Sequence, residues 1–384
     1  MRLLRSAVLT AAFVASAWTL LSAGTAGATD YPLVIKDLSG REITIPAEPK
    51  RIVVQDGRDL FALALLDRAD PFARVVAWNN ILSRSDPASW AVFQKQWPES
   101  SAKPIDMKFG DEGQVNLEQV AATKPDLLVF QTRVRQALDD ADLFNRLAKL
   151  GIPIVLIDTE LEPTVNAPKT VNLLGKVLNR ETEAKAFTDF YAERLAKVQA
   201  GFAGAEKPKV FVEAKAGQKG LDSCCFTHGD VYWGKLVADA GGINIGTQLV
   251  KGRTGDVTTE TLIAEKPDVF VMTGSPFSNE GSVSPAFGLN ADKAAVETSL
   301  RTLSARKGFS YIKAVEENRV VGLYHQLYAS AWNIYAVEYL AKAFYPERFA
   351  ELDPDADLAT IIGSFTGLPK GLTTVYGAKA APAK

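Results

Sequence analysis

Histidine, cysteine and methionine are scarce: the 384 residues contain two, two and three of them. With only His228 and His325 available, a nucleophile–base pair has little to draw on, and no G-x-S-x-G elbow, P-loop, G-x-G-x-x-G or H-E-x-x-H pattern occurs. A Cys225–His228 dyad would lie within one loop with nothing to orient it. No catalytic residues are therefore expected, and a secreted α/β enzyme using Cys225 or Ser275 is kept as an alternative. Spaced Cys/His ligand pairs are missing too, which argues against a zinc site. A net charge of −2 gives no general attraction to nucleic acid or anionic membrane.

Long hydrophobic runs are confined to the N-terminus. Arg2 and Arg5 precede an apolar run from Ala7 to Leu21, and Ala26-Gly27-Ala28 supplies the small residues of a cleavage site. Residues 1–28 are thus expected to be a cleaved export signal, and the absence of a cysteine there predicts a product that is not lipid-anchored. Losing two arginines changes the net charge from −2 to −4. The mature chain of about 356 residues exceeds what one core usually organises, so two domains are expected. The two cysteines are adjacent, Cys224-Cys225, and either close a vicinal disulfide or remain as two thiols.

The chain contains a near-repeat. Val115 to Phe130 reads VNLEQVAATKPDLLVF and Val257 to Met272 reads VTTETLIAEKPDVFVM, identical at seven of sixteen positions and 142 residues apart. Each copy reads as a short helix, a proline-marked turn and a buried strand, and an interval that long fits two related α/β lobes rather than a solenoid. In residues 29–163, strands are expected at 33–36 and 42–45 as a hairpin, then 51–55, 75–78, 127–131 and 154–157. Helices are expected at 59–66, 116–123 and 137–150, the last stopped by Gly151. Residues 164–202 have mostly helical apolar spacing and read as one rigid strut, with Pro168 and Gly175 as candidate interruptions near its start. The scheme repeats in 203–375, with strands at 209–214, 269–273 and 319–323 and helices at 233–240, 331–344 and 353–365. Residues 376–384 are expected to be a disordered tail.

Open α/β sheets bind ligands beyond the C-terminal ends of their strands. Polar and aromatic residues gather at those positions. In the first lobe they are Asp56, Arg58, Trp78, Arg133 and Arg135; in the second they are Glu213, Lys215, Cys224, Cys225, Trp233, Thr273 to Ser275, Tyr324, His325 and Tyr328. The arginines argue for an anionic ligand, because a planar guanidinium holds paired oxygens with charge-assisted hydrogen bonds. Together these residues describe a cationic, aromatic cleft. The plainer readings are that Arg133 and Arg135 are solvated, that Trp78 and Trp233 belong to the core, and that His325 is structural.

The opening DLSGREITIPAEPKRIVV, both copies of the module, HGDVYWGKLVADAGGINIG and YHQLYASAWNIYAVEYLAKAFYPE occur in an order and spacing that carry a family likeness. The chain resembles the periplasmic substrate-binding proteins of ABC importers for ferric siderophores, haem and cobalamin. The resemblance implies an α/β fold of two Rossmann-like lobes joined by one long inter-lobe helix, limited hinge motion, no intrinsic cofactor and a monomer. It further implies capture of an iron complex, most readily an anionic ferric siderophore, with Tyr324 and His325 as candidate iron contacts. Membrane permease subunits are the implied partners, docking through Glu118 and Glu260. The plain alternative for these two glutamates is that each favours its helix from the first turn. Haem, a molybdate-type oxyanion, nickel and cobalamin are rival ligands, and a periplasmic sensor is a rival role.

Overall fold

The computed structural model describes residues 29–107, 109 and 115–380, so the expected signal at 1–28 lies outside the described residues. Two five-stranded sheets organise the chain. The first is parallel throughout, in the order Ile105–Asp106, Val75–Trp78, Ile52–Val54, Leu127–Gln131, Ile154–Ile157. Its central strands are unbroken apolar runs such as Leu127-Leu128-Val129-Phe130, as expected for strands covered on both faces. The chain winds outward from Ile52–Val54 and then returns to that strand's other side, so the winding reverses between Ile52–Val54 and Leu127–Gln131. The hairpin Leu33–Lys36 with Glu42–Ile45 forms as expected, and Leu38 N–H ties it to the sheet edge at Leu156.

The second sheet runs Ile243–Asn244, Lys209–Glu213, Val269–Gly274, Val320–Tyr324, Gly377–Lys379, and only the last strand is antiparallel. That edge strand corrects the expected disordered tail. Residues 377–379 pair with 321–323 through the backbone, which their composition of small residues and lysine does not advertise. Residues 381–384 lie outside the described residues.

The near-repeat is one structural device used twice. Asn116 and Thr258 cap helices Leu117–Ala122 and Thr259–Glu265 by accepting from Gln119 N–H and Thr261 N–H. Lys124 and Lys266 then take left-handed conformations, with φ of 48° and 52°. After the proline, Asp126 accepts from the backbone N–H groups of Lys50 and Arg51, and Asp268 accepts from that of Lys209. Lys-Pro-Asp is therefore repeated because it ends a helix and pins the start of the neighbouring parallel strand.

The single strut expected over 164–202 is two helices, Pro163–Val177 and Glu181–Phe202. The break falls at Leu178 to Arg180, where Asn179 has φ 57°. The second helix folds back on the first, with Thr188 Oγ1 at 3.2 Å from Asn172 Oδ1. A Cβ on Gly175 would meet Ala184 Cβ at 2.5 Å. Pro168 sits inside the first helix without ending it. Both helices span the lobes: Pro163–Val177 packs on Leu60–Leu66 and on Trp233–Asp239, with Thr164 Oγ1 donating to Asp239 at 2.6 Å, and Glu181–Phe202, about 33 Å long at 1.5 Å per residue, is the longer bridge. It packs against Leu60–Leu66 of the first lobe and Ile334–Phe344 of the second, and Tyr191 donates to Asn333 Oδ1 at 2.6 Å. The helix expected over 137–150 is also divided, into Arg135–Asp140 and Leu143–Ala148, at Asp142 with φ 51°.

Candidate functional site

Where the winding of the first sheet reverses, the chain leaves Ile52–Val54 through Gln55 and Asp56. Asp56 accepts from Arg58 N–H and opens the short 3-10 turn Gly57–Asp59. Gly57 is needed there, since a Cβ would collide with the Asn79 carbonyl oxygen. This turn points Arg58 back over Asp56, to which Nε and Nη2 donate at 2.9 and 2.5 Å. Arg133, just beyond Leu127–Gln131, reaches Asp56 at 2.7 Å, and both guanidiniums contact Glu160, at 2.8 and 2.9 Å.

Two arginines and two carboxylates thus form one compact cluster, which corrects the expected cationic cleft to a charge-balanced floor. Burial alone would raise the Asp56 carboxyl, but the Arg58 and Arg133 guanidiniums hold it well below the usual carboxylate range. Burial pushes Glu160 up, against the pull of Arg133 and Arg58. Asp59, buried and close to Asp56, is raised well above its usual value and meets Gln131 Nε2 at 2.6 Å.

The second lobe closes over this floor. Tyr328 OH accepts from Arg58 Nη1 at 2.7 Å. Behind Tyr328 lies a ring cluster: its centroid is 5.1 Å from His325, 5.6 Å from His228 and 5.3 Å from Tyr232. Both imidazoles stay uncharged at neutral pH. Burial, then Lys215, lowers His228 to about 3, and burial with Lys215, His228 and Arg58 holds His325 well below its usual value. His228 Nδ1 and His325 Nε2 are buried without a hydrogen-bond partner among the described residues. Burial raises the Tyr328 hydroxyl to about 12.

Of the sequence-derived candidates, Arg58, Arg133, His325 and Tyr328 meet in this cluster. Trp233 supports it from the core: it is fully buried and its Nε1 donates to the His325 carbonyl at 3.2 Å. Tyr324 does not join it, because its hydroxyl donates to Asp86 of the first lobe and its ring lies 4.6 Å from Tyr376. Trp78 is 3% exposed and packed on Phe72 and Trp90, so it is core. Arg135 does not join the cluster either: it pairs with Asp139 at 2.6 Å, bonds Ser39 and lies over Phe144.

Cys224 and Cys225 are joined to each other as a vicinal disulfide. Among the described residues the one group of three possible metal ligands within 4.8 Å is Glu213, Cys224 and Cys225. Its sulfurs are bonded together and Glu213 is paired with Arg306. Cys225 is fully buried and Cys224 partly so. Beside the disulfide a cavity of about 120 Å³ is lined by Glu213, Lys215, Ser223, Phe226 and Asp256. Glu160, His228 and Tyr232 were missed as site residues. Glu160 carries the signal that selected Asp56, an acid just past a strand's C-terminal end, at Ile154–Ile157. His228 lies on a short strand of the cysteine loop and had no such signal.

Residues 71–327 match the model of the family described as periplasmic binding protein. The TroA-like periplasmic binding protein FepB from Veillonella parvula superposes with a TM-score of 0.83 at 25% identity, covering 91% of this chain and 100% of that one. An uncharacterised ABC transporter substrate-binding lipoprotein of Bacillus subtilis, YvrC, is 23% identical over 84% of this chain and 88% of its own length. Haemophilus influenzae MolA, a molybdate-binding protein, is 23% identical over 84% and 87%. Its molybdate-bound structure has a TM-score of 0.63 at 17% identity, covering 90% and 100%. With the family model spanning most of the described residues and both lobes superposing on a member, this chain belongs to the periplasmic binding protein family, as a two-lobed substrate-binding protein of the ABC transporter class.

Proposed function

We propose that this protein captures an anionic ferric siderophore between its lobes and delivers it to the permease of an ABC importer, outside the cytoplasm and without a lipid anchor. The observation that carries the reading is the convergence of Arg58 and Arg133 from one lobe with His228, His325, Tyr232 and Tyr328 from the other. Such a site offers guanidinium and imidazole donors to ligand oxygens and aromatic faces to flat rings. The arginines rest on Asp56 and Glu160, so an incoming anion meets donors that are already oriented, and their charge need not be desolvated anew. The iron is cargo here.

Glu118 and Glu260 are the proposed permease contacts. Both are exposed in the first turns of matching helices, one on each lobe, as a two-point docking surface requires. The deciding experiment is native mass spectrometry with an absorbance spectrum on protein purified from iron-limited culture. A bound iron chelate with a charge-transfer band is expected. A Soret band, or a bound tetrahedral oxyanion such as molybdate, would replace this ligand with another.

A further inference from the structure

Among the described residues the His325 imidazole has one hydrogen-bond partner, the Thr273 hydroxyl, and the direction of that hydroxyl follows from its two neighbours. Thr273 Oγ1 lies 3.1 Å from the Lys215 backbone nitrogen and 2.8 Å from His325 Nδ1. The amide can only donate, so Oγ1 accepts from it. The hydroxyl proton then has one acceptor in reach among the described residues, His325 Nδ1. The reverse arrangement, with Nδ1–H donating, makes Oγ1 accept twice and strands the proton of a fully buried threonine. The ring proton of the neutral imidazole therefore sits on Nε2. That atom is buried with no hydrogen-bond partner among the described residues, in a ring flanked by Tyr328, Phe277 and His228 at 5.1, 5.9 and 6.3 Å.

We propose that Thr273 is a positioning residue that makes His325 an N–H donor to the cargo, so that the cargo arrives as an oxygen-presenting, coordinatively saturated anionic chelate. The proposal rests on the reading of the inter-lobe cleft as the ligand site. It reassigns His325, an expected iron contact, to hydrogen bonding. Direct ligation through Nε2 requires the proton on Nδ1, the tautomer that Thr273 opposes. A chelate whose ligand oxygens already fill the iron's coordination sphere gives the buried N–H the acceptor it lacks.

The test uses the full mature chain labelled with ¹⁵N-histidine, and two probes: a hexadentate ferric tris-catecholate and a tetradentate ferric bis-catecholate with open iron positions. In ligand-free wild type, imidazole nitrogen shifts are expected to show the neutral Nε2–H form for His325. Thr273→Ser keeps that form and Thr273→Val loses the preference. Fluorescence titration is expected to show tighter binding of the saturated chelate, weakened about tenfold by Thr273→Val, the worth of one hydrogen bond to a charged acceptor, and restored by Thr273→Ser. An Nδ1–H ring in wild type overturns the proposal. So does tighter binding of the bis-catecholate with a new imidazole–iron absorption. If neither chelate binds, the functional reading fails, while the tautomer of the ligand-free protein still decides the role of Thr273.

Discussion

Arg58 Nη1 donates to Tyr328 OH at 2.7 Å, joining residues 270 positions apart and on different lobes. The same guanidinium is held by Asp56 and Glu160 on its own lobe, so the contact to Tyr328 can be lost without stranding a buried charge. Tyr328→Phe is expected to cost about 1 kcal/mol of stability, as for one partly exposed hydrogen bond, and to loosen the lobes. Chemical denaturation with small-angle scattering checks both, and an unchanged midpoint and unchanged dimensions would refute this latch.

Asp56 is shared by two guanidiniums that hold its carboxyl well below the usual carboxylate range, and neutralising it leaves them with Glu160 alone. Asp56→Asn is expected to destabilise by roughly 3–5 kcal/mol, the usual cost of breaking a buried charge cluster on one side. Urea melts of the isolated protein give the number. A loss below about 1 kcal/mol, typical of exposed pairs, would show that the cluster is solvated.

Glu338, on Ile334–Phe344, is fully buried against the bridging helix, with Arg194 Nε 4.0 Å from its carboxylate and Asp357 beside it. Burial, reinforced by Asp357, raises it to about 9. A carboxyl whose folded pKa lies above its unfolded value stabilises fully below the unfolded value and loses that contribution as pH rises through the folded one. Thermal stability should therefore decline from about pH 5 to 9, by up to roughly 1.4 kcal/mol per unit for one proton. Glu338→Gln should flatten this decline, and parallel wild-type and variant profiles would contradict it.

His228 has the opposite sign. Burial and Lys215 depress it to about 3, so its contribution is present above the unfolded value near 6.5 and is lost as pH falls toward 3. His228→Phe should reduce the acid-side loss, read from melting curves between pH 3 and 7. Ligand affinity should show no inflection near pH 6.5 from this ring.

Glu118 and Glu260 lie outside the ligand cluster. Reversing both, Glu118→Lys with Glu260→Lys, is expected to abolish cellular uptake while leaving ligand affinity unchanged. Transport assays beside fluorescence titration separate the two effects. Full uptake by the double variant would return both residues to the role of helix-favouring acids.

Much of the inter-lobe cluster was legible, because the positions just beyond parallel strands can be read from apolar runs, and Arg58, Arg133, His325 and Tyr328 all follow such runs. Their electrostatics was not. Asp56 and Arg58 are two residues apart, but Glu160 comes from another strand's end, and no spacing announces that it will share two arginines. Trp78 and Tyr324 misled because a residue just past a strand can turn toward the core as easily as toward the cleft. The bridging segment was overread because helical apolar spacing continues across the break at Asn179; a left-handed residue at a helix end costs little and leaves no mark on periodicity.

The sequence alone determined the local grammar: alternating strands and helices, and a repeated Lys-Pro-Asp stop, all set by neighbours within a few residues. Tertiary structure decided what the cleft is chemically. Charge balance and burial depend on which side chains from distant segments come within about 3 Å of one another, the range over which hydrogen bonds act. Thr273 is an ordinary strand threonine until the fold places His325 Nδ1 at 2.8 Å from its hydroxyl.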